Sequence, residues 1–103
     1  MSYKLRFVQV FSMANAREYL AIEKQFAAFE KKYPEFPKGK RYLPLTGRDT
    51  ANTLIWECDF ETLEEVHKTQ IFLMNDARHE DLFNEQSLYI VNAYTEIYRP
   101  YDS

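Results

Sequence analysis

The stretch from Asn52 to Phe60 constrains this chain more than any other. Its residues, Asn-Thr-Leu-Ile-Trp-Glu-Cys-Asp-Phe, alternate as a β-strand does, with successive side chains on opposite faces. One face carries Leu54, Trp56, Cys58 and Phe60 and is wholly apolar, so it must meet a core. The other carries Thr53, Ile55, Glu57 and Asp59 and meets something more polar. This pattern predicts a central strand around which the rest of the chain is arranged.

The flanking sequence supplies its partners. Lys4 to Ser12 sets Leu5, Phe7, Gln9 and Phe11 against Arg6, Val8, Val10 and Ser12, and its β-branched and aromatic residues mark a strand. Both of its faces are substantially apolar, so both are expected to be covered. Asn15, three residues before Glu18, approximates a capping box. The helix it opens places Tyr19, Ile22, Phe26, Phe29 and Tyr33 at steps of three and four, an apolar stripe for a core. Pro34 stops that helix, because the residue before a proline avoids helical backbone. Pro34 to Gly39 is a loop, and Lys40 to Leu45 reads as a short strand that Pro44 confines to a sheet edge. Thr46 to Asp49 turns into the central strand.

Beyond Phe60, Thr62 and Glu65 form a second capping box, and Leu63, Val66, Gln70 and Leu73 give the inner stripe of a second helix. Asn75-Asp76 interrupts it. A further helical piece is expected from Ala77 to Gln86, with Leu82 and Phe83 inward. Leu88 to Arg99 is the last strand, ended by Pro100.

The order β-α-β-β-α-β predicts an α+β, ferredoxin-like domain spanning residues 1–103, with a four-stranded antiparallel sheet and its helices on one face. The first and third strands take the middle, and the second and fourth the edges. Helices on one side leave the other side of an aromatic-rich sheet in water, and an apolar face of several hundred Å² is large for a monomer. Pairing two copies through the sheet faces and the last strand resolves this, so a homodimer is expected. Aromatic residues make up 17% of the chain, more than one small core readily hides, which points to an interface or a ligand cavity.

Other classes are set aside by what is missing. The net charge is −3, with no basic cluster beyond Lys38 to Arg41, so nucleic acid is not the expected partner. Two isolated histidines and the single Cys58 do not make a metal site by spacing, and two glycines leave no phosphate-cradling loop. No cofactor is expected. No apolar run approaches the ~18 residues of a membrane span, and a cytoplasmic location is the default expectation.

The residues Gly47-Arg48, Thr53, Trp56-Glu57, Asn75 to His79 with Leu82-Phe83, and Thr95-Glu96-Ile97-Tyr98 together resemble the dimeric α+β barrel superfamily, and within it the small NIPSNAP-like proteins. The resemblance runs over almost the whole chain and extends distantly to antibiotic biosynthesis monooxygenases. It implies a homodimer with facing sheets and a cavity between sheet and helices. It also implies relatives of very different chemistry, from cofactor-free monooxygenases to haem-degrading enzymes and muconolactone isomerases, so the fold selects no reaction. The haem-degrading pattern asks for an Asn on the first strand, a Trp in the second helix and a His near that helix's end. Here the first strand offers Gln9, the single tryptophan is on a strand, and His67 and His79 stand outside the full motif.

Three readings follow. In the first, a homodimer binds a small apolar or aromatic ligand in a pocket lined by Trp56, Tyr94 and Tyr98, with Glu57, Glu96 and Arg48 as polar anchors. In the second, the chain is a cofactor-independent monooxygenase or isomerase in which His79, three and four residues before Leu82 and Phe83, moves a proton. In the third, the aromatics serve a structural or partner-binding dimer. Each site residue also has a plainer reading: His79 as a helix-start residue, Glu57 and Glu96 as ion pairs with Arg6, Arg48 or Arg99, and Trp56 as core.

Overall fold

The computed structural model describes residues 2–101. Four strands, β1 (Tyr3–Phe11), β2 (Lys40–Tyr42), β3 (Thr53–Phe60) and β4 (Ile90–Tyr98), form one antiparallel sheet in the order β2-β3-β1-β4. Helices α1 (Ala16–Lys32), α2 (Leu63–Asn75) and α3 (Ala77–Gln86) pack on one face. β1 and β3 are central, as the sequence pattern predicts. Their register sets Phe7 beside Trp56 and Arg6 beside Glu57. It therefore fixes which residues meet the helices and which meet the open side.

On the helix side, two clusters join the sheet to the helices and a third joins α1 to α3. Leu5 and Trp56 pack with Val66 of α2, Phe11 and Leu54 pack with Tyr19 of α1, and Ile22 and Phe26 pack with Leu82 of α3. Leu5, Tyr19 and Val66 are fully shielded from solvent. Burying an apolar side chain of this size contributes roughly 1.5–3 kcal/mol, so Val66 on Leu5 holds α2 to the sheet and Tyr19 on Phe11 and Leu54 holds α1.

Several local expectations change. Asn15 makes no side-chain cap, because a 3₁₀ turn over Met13–Asn15 precedes α1. The Thr62–Glu65 capping box does form: Glu65 N–H donates to Thr62 Oγ1 and Thr62 N–H donates to Glu65 Oε1, both at 3.1 Å. β2 stops at Tyr42, so Pro44 lies beyond the strand and not within it. Leu63 opens α2 exposed, and its inner face begins at Val66. A 3₁₀ turn at Ser87–Tyr89 delays β4 until Ile90. Asp76 is the corner between two helices, ending α2 and capping α3 by accepting from His79 N–H at 3.1 Å.

The helices do not reach across β4. Its helix-side residues Val91, Ala93, Thr95 and Ile97 are all exposed, Val91 at 70%. The layer is therefore complete over β3 and β1 and open along β4.

Candidate functional site

Between the sheet and the helices lies a cavity of about 610 Å³. Phe7, Leu54 and Trp56 form its sheet side, and Phe26, Leu73, His79 and Phe83 come from the three helices. Phe36 and Pro37 of the α1–β2 loop close one end, and Ala93 and Thr95 of β4 border it on the uncovered side. Phe7 and Trp56 stack at 5.0 Å between ring centroids.

The polar part of the wall is an ion cluster within α1's inner face. Glu23 and Glu30 lie seven residues apart, two helical turns, and so share the stripe of Tyr19 and Phe26. Both are buried at 8% exposure. Arg41 of β2 reaches between them: Nε donates to Glu23 Oε2 at 2.6 Å, and the two terminal nitrogens donate to Glu30 at 3.1 and 2.5 Å. Glu30 also accepts from Trp56 Nε1 at 3.2 Å and from Gly39 N–H at 3.1 Å. Gln86 of α3 donates to Glu23 Oε1 at 2.8 Å. Burial alone would lower the Arg41 pKa, but its hydrogen bonds to Glu30 and its pairing with Glu23 carry it above the ordinary value. The guanidinium is therefore permanently charged.

Gly39 lets the loop touch this wall. A Cβ at that position would stand 1.9 Å from Trp56 Nε1, so any side chain would displace the indole. Deeper in, the Tyr19 hydroxyl donates to Gln9 Oε1, and burial, helped by Glu23, pushes its pKa up so that it stays protonated.

His79 borders the cavity from the first turn of α3, tilted on Phe26 at 5.0 Å and stacked on Phe83 at 6.3 Å. Burial lowers its pKa, against the opposing pull of Asp76, Glu23 and Glu30. The ring is neutral at physiological pH, and among the described residues no hydrogen bond reaches it.

No family model matches this chain, and no curated protein matches it in sequence. Solved structures do match. A NIPSNAP family protein from Agrobacterium tumefaciens superposes with a TM-score of 0.78 at 15% identity, over 98% of this chain and 87% of that one. An uncharacterised NIPSNAP-like domain protein from Burkholderia xenovorans gives 0.76 at 13%, over 98% and 86%. A variant of a cofactor-independent oxygenase from Streptomyces nogalater gives 0.64 at 11%, over 99% and 95%. The chain has the fold these proteins share. At such identities the likeness concerns the fold alone and leaves the chemistry to the site.

The residues singled out in the sequence divide between the two sides of that fold. Trp56 borders the cavity, whereas Tyr94 meets its margin only along β4 and by alternation shares the open side with Glu96 and Tyr98. Glu57, Glu96 and Tyr98 gather instead around Arg6, among the open-side residues of β1, β3 and β4. Arg6 Nε donates to Glu57 Oε2 at 2.8 Å, and its Nη1 donates to Glu96 and to Tyr98. Lys4 lies 3.4 Å from Glu57 and 3.1 Å from Asp59. Arg48 belongs to neither group: its side chain is 86% exposed and its ion-pair contact is Asp49 at 4.0 Å. Trp56 and Glu57 are adjacent in sequence, and strand alternation turns them to opposite sides.

Sequence reasoning passed over Glu23, Glu30, Arg41 and Gln86. A signal did exist. Two glutamates seven apart fall on the apolar stripe of α1, where a buried carboxylate needs a cation, and Arg41 is the first arginine after the loop. Among the described residues, no three His, Cys, Asp or Glu side chains gather as metal ligands, and no helix is long and apolar enough to cross a membrane.

Proposed function

We propose that this chain binds a small, largely apolar or aromatic ligand in the cavity between its sheet and helices, and that it does so as a homodimer. The observation carrying the ligand reading is the cavity itself. Its volume of about 610 Å³ falls in the usual range for small-molecule sites, roughly 300–1,000 Å³, and aromatic walls with a few convergent polar groups are their usual lining. The uncovered β4, with Val91 70% and Ile97 39% exposed, supports the dimer.

Native mass spectrometry of the protein purified from its own host tests both parts. The expected spectrum is a dimer carrying a defined extra mass. A monomer at micromolar concentration contradicts the dimer. A dimer that is consistently empty, and that stays empty with aromatic fragments added, contradicts the ligand reading and leaves a structural or partner-binding role.

His79 favours a second reading, a cofactor-independent monooxygenase or isomerase. A neutral imidazole with an uncommitted ring, bordering an apolar cavity, is suited to take a proton from a bound substrate. Once a turnover assay exists, His79→Ala should abolish the reaction, and full activity in that variant excludes this mechanism.

A further inference from the structure

The charges around the cavity do not balance. Among the described residues its wall holds the carboxylates of Glu23, Glu30 and Glu80 against a single guanidinium, Arg41. Arg41 is also committed, with all three of its hydrogen bonds going to Glu23 and Glu30. A bound anion would find no free cation in the wall and would meet the buried carboxylates of Glu23 and Glu30, where like charges are less screened than at exposed Glu80.

The two buried glutamates differ in a way that identifies the ligand-facing one. A carboxylate has about four acceptor positions. Glu30 fills them with Gly39 N–H, two nitrogens of Arg41 and Trp56 Nε1. Glu23 accepts only from Gln86 and from Arg41 Nε, one bond at each oxygen. Glu30 is thus saturated by the fold, whereas Glu23, equally buried and bordering the cavity, keeps acceptor capacity on both oxygens. The rest of the wall points to the same ligand charge. Ring faces are negative, and a cation beside Phe26, Phe7 or Trp56 is attracted to them.

We infer that the ligand of this cavity is an organic cation, a primary amine with an aromatic or alkyl body, whose ammonium donates to Glu23 while its body lies against the Phe7, Phe26 and Trp56 rings. This rests on the reading that the cavity binds a ligand, and it names that ligand's chemical class.

Trp56 is the single tryptophan and part of the wall, so its emission reports occupancy directly. The test titrates the full chain at pH 7 and low salt with three probes of closely similar shape and different charge: 2-phenylethylamine, 2-phenylethanol and 3-phenylpropionate. The amine should saturate the Trp56 signal about tenfold more tightly than the alcohol, and the carboxylate should bind weakest, in line with the usual strength of a charge-assisted hydrogen bond. Glu23→Gln keeps the shape but only one of the two acceptor contacts, since its amide NH2 cannot accept from Arg41 or Gln86, and it should bring amine and alcohol to within about twofold of each other. Equal binding of the three, tighter binding of the carboxylate, or an undiminished amine preference in Glu23→Gln overturns the inference and leaves the cavity reading standing. If none of the three saturates, the cavity reading fails as well. The wild-type comparison decides the charge preference even if Glu23→Gln does not fold.

Discussion

Arg41 sits between Glu23 and Glu30, and Arg6 sits between Glu57 and Glu96, so the protein holds one chemical unit twice, on opposite sides of its sheet. The guanidiniums are covered to a similar degree, with 20% of the Arg41 side chain exposed and 14% of Arg6. The carboxylates are not. The side chains of Glu23 and Glu30 are 10% and 11% exposed, whereas those of Glu57 and Glu96 are 21% and 34% exposed. The helix-side unit is enclosed by α1, α3 and the loop. The open-side unit has no second layer among the described residues, and Lys4 stands by as a second cation for Glu57. The same three side chains can therefore serve as a cavity wall on one side and as an accessible surface network on the other. What differs is how readily water can replace a lost partner.

The largest expected effect tests this directly. Arg41→Met leaves two buried carboxylates without their cation and should destabilise the fold by about 3–5 kcal/mol in urea unfolding. Arg6→Met should cost only roughly 1 kcal/mol in dilute protein, because water remains for both of its carboxylates and Lys4 for Glu57. Equal losses would erase the distinction between the two sides. A loss at Arg6 that grows with protein concentration would instead sharpen it, by placing that cluster in a subunit interface.

Gly39→Ala comes between these two. Its Cβ would meet the Trp56 indole at 1.9 Å, so the ring must move and its bond to Glu30 must break. The expected loss is about 1–3 kcal/mol with a red-shifted Trp56 emission. An unchanged spectrum would mean that the loop yields in place of the wall. Thr62→Ala removes one half of a capping box that shares no hydrogen bond with either cluster and should cost about 1 kcal/mol, a reference for purely local damage.

The smallest effect is a pH dependence. Burial holds the His79 pKa below its unfolded value, so the unfolded chain binds that proton more tightly. Stability from this residue is full above the unfolded pKa of about 6.5 and declines as pH falls below it towards the lower folded pKa. His79→Phe should flatten the fall of stability between neutral and mildly acidic pH. An unaltered pH profile would place the ring in water and not against the cavity.

Much of the fold was legible because it rests on periodicity. The alternation in β1 and β3, the stripe of α1, the Thr62–Glu65 box and the break at Asn75-Asp76 are local signals, and each fixes its element without help from distant residues. Asn15 misled because a 3₁₀ turn sits before α1, and no local rule separates that turn from a capped start. The site was less legible. Glu57 and Glu96 drew notice as charges on apolar strands, and the register does join them, through Arg6. Their grouping with Trp56 needs one side of the sheet, and alternation forbids that. Glu23 and Glu30 escaped notice because charges on a helix are ordinarily solvated, and only the approach of β2 and Gly39 makes these two internal.

The central claim is that the helix side of this sheet is a ligand site and the open side is not. Amide and indole chemical shifts of the ¹⁵N-labelled protein, followed while 2-phenylethylamine is added, test it most directly. The account predicts shifts at the Trp56 indole N–H, at His79 and Phe83 of α3 and at Ala93 and Thr95 of β4, with Arg6, Glu57, Glu96 and Tyr98 unmoved. Shifts confined to those last four residues, or none at all at saturating amine, would contradict it.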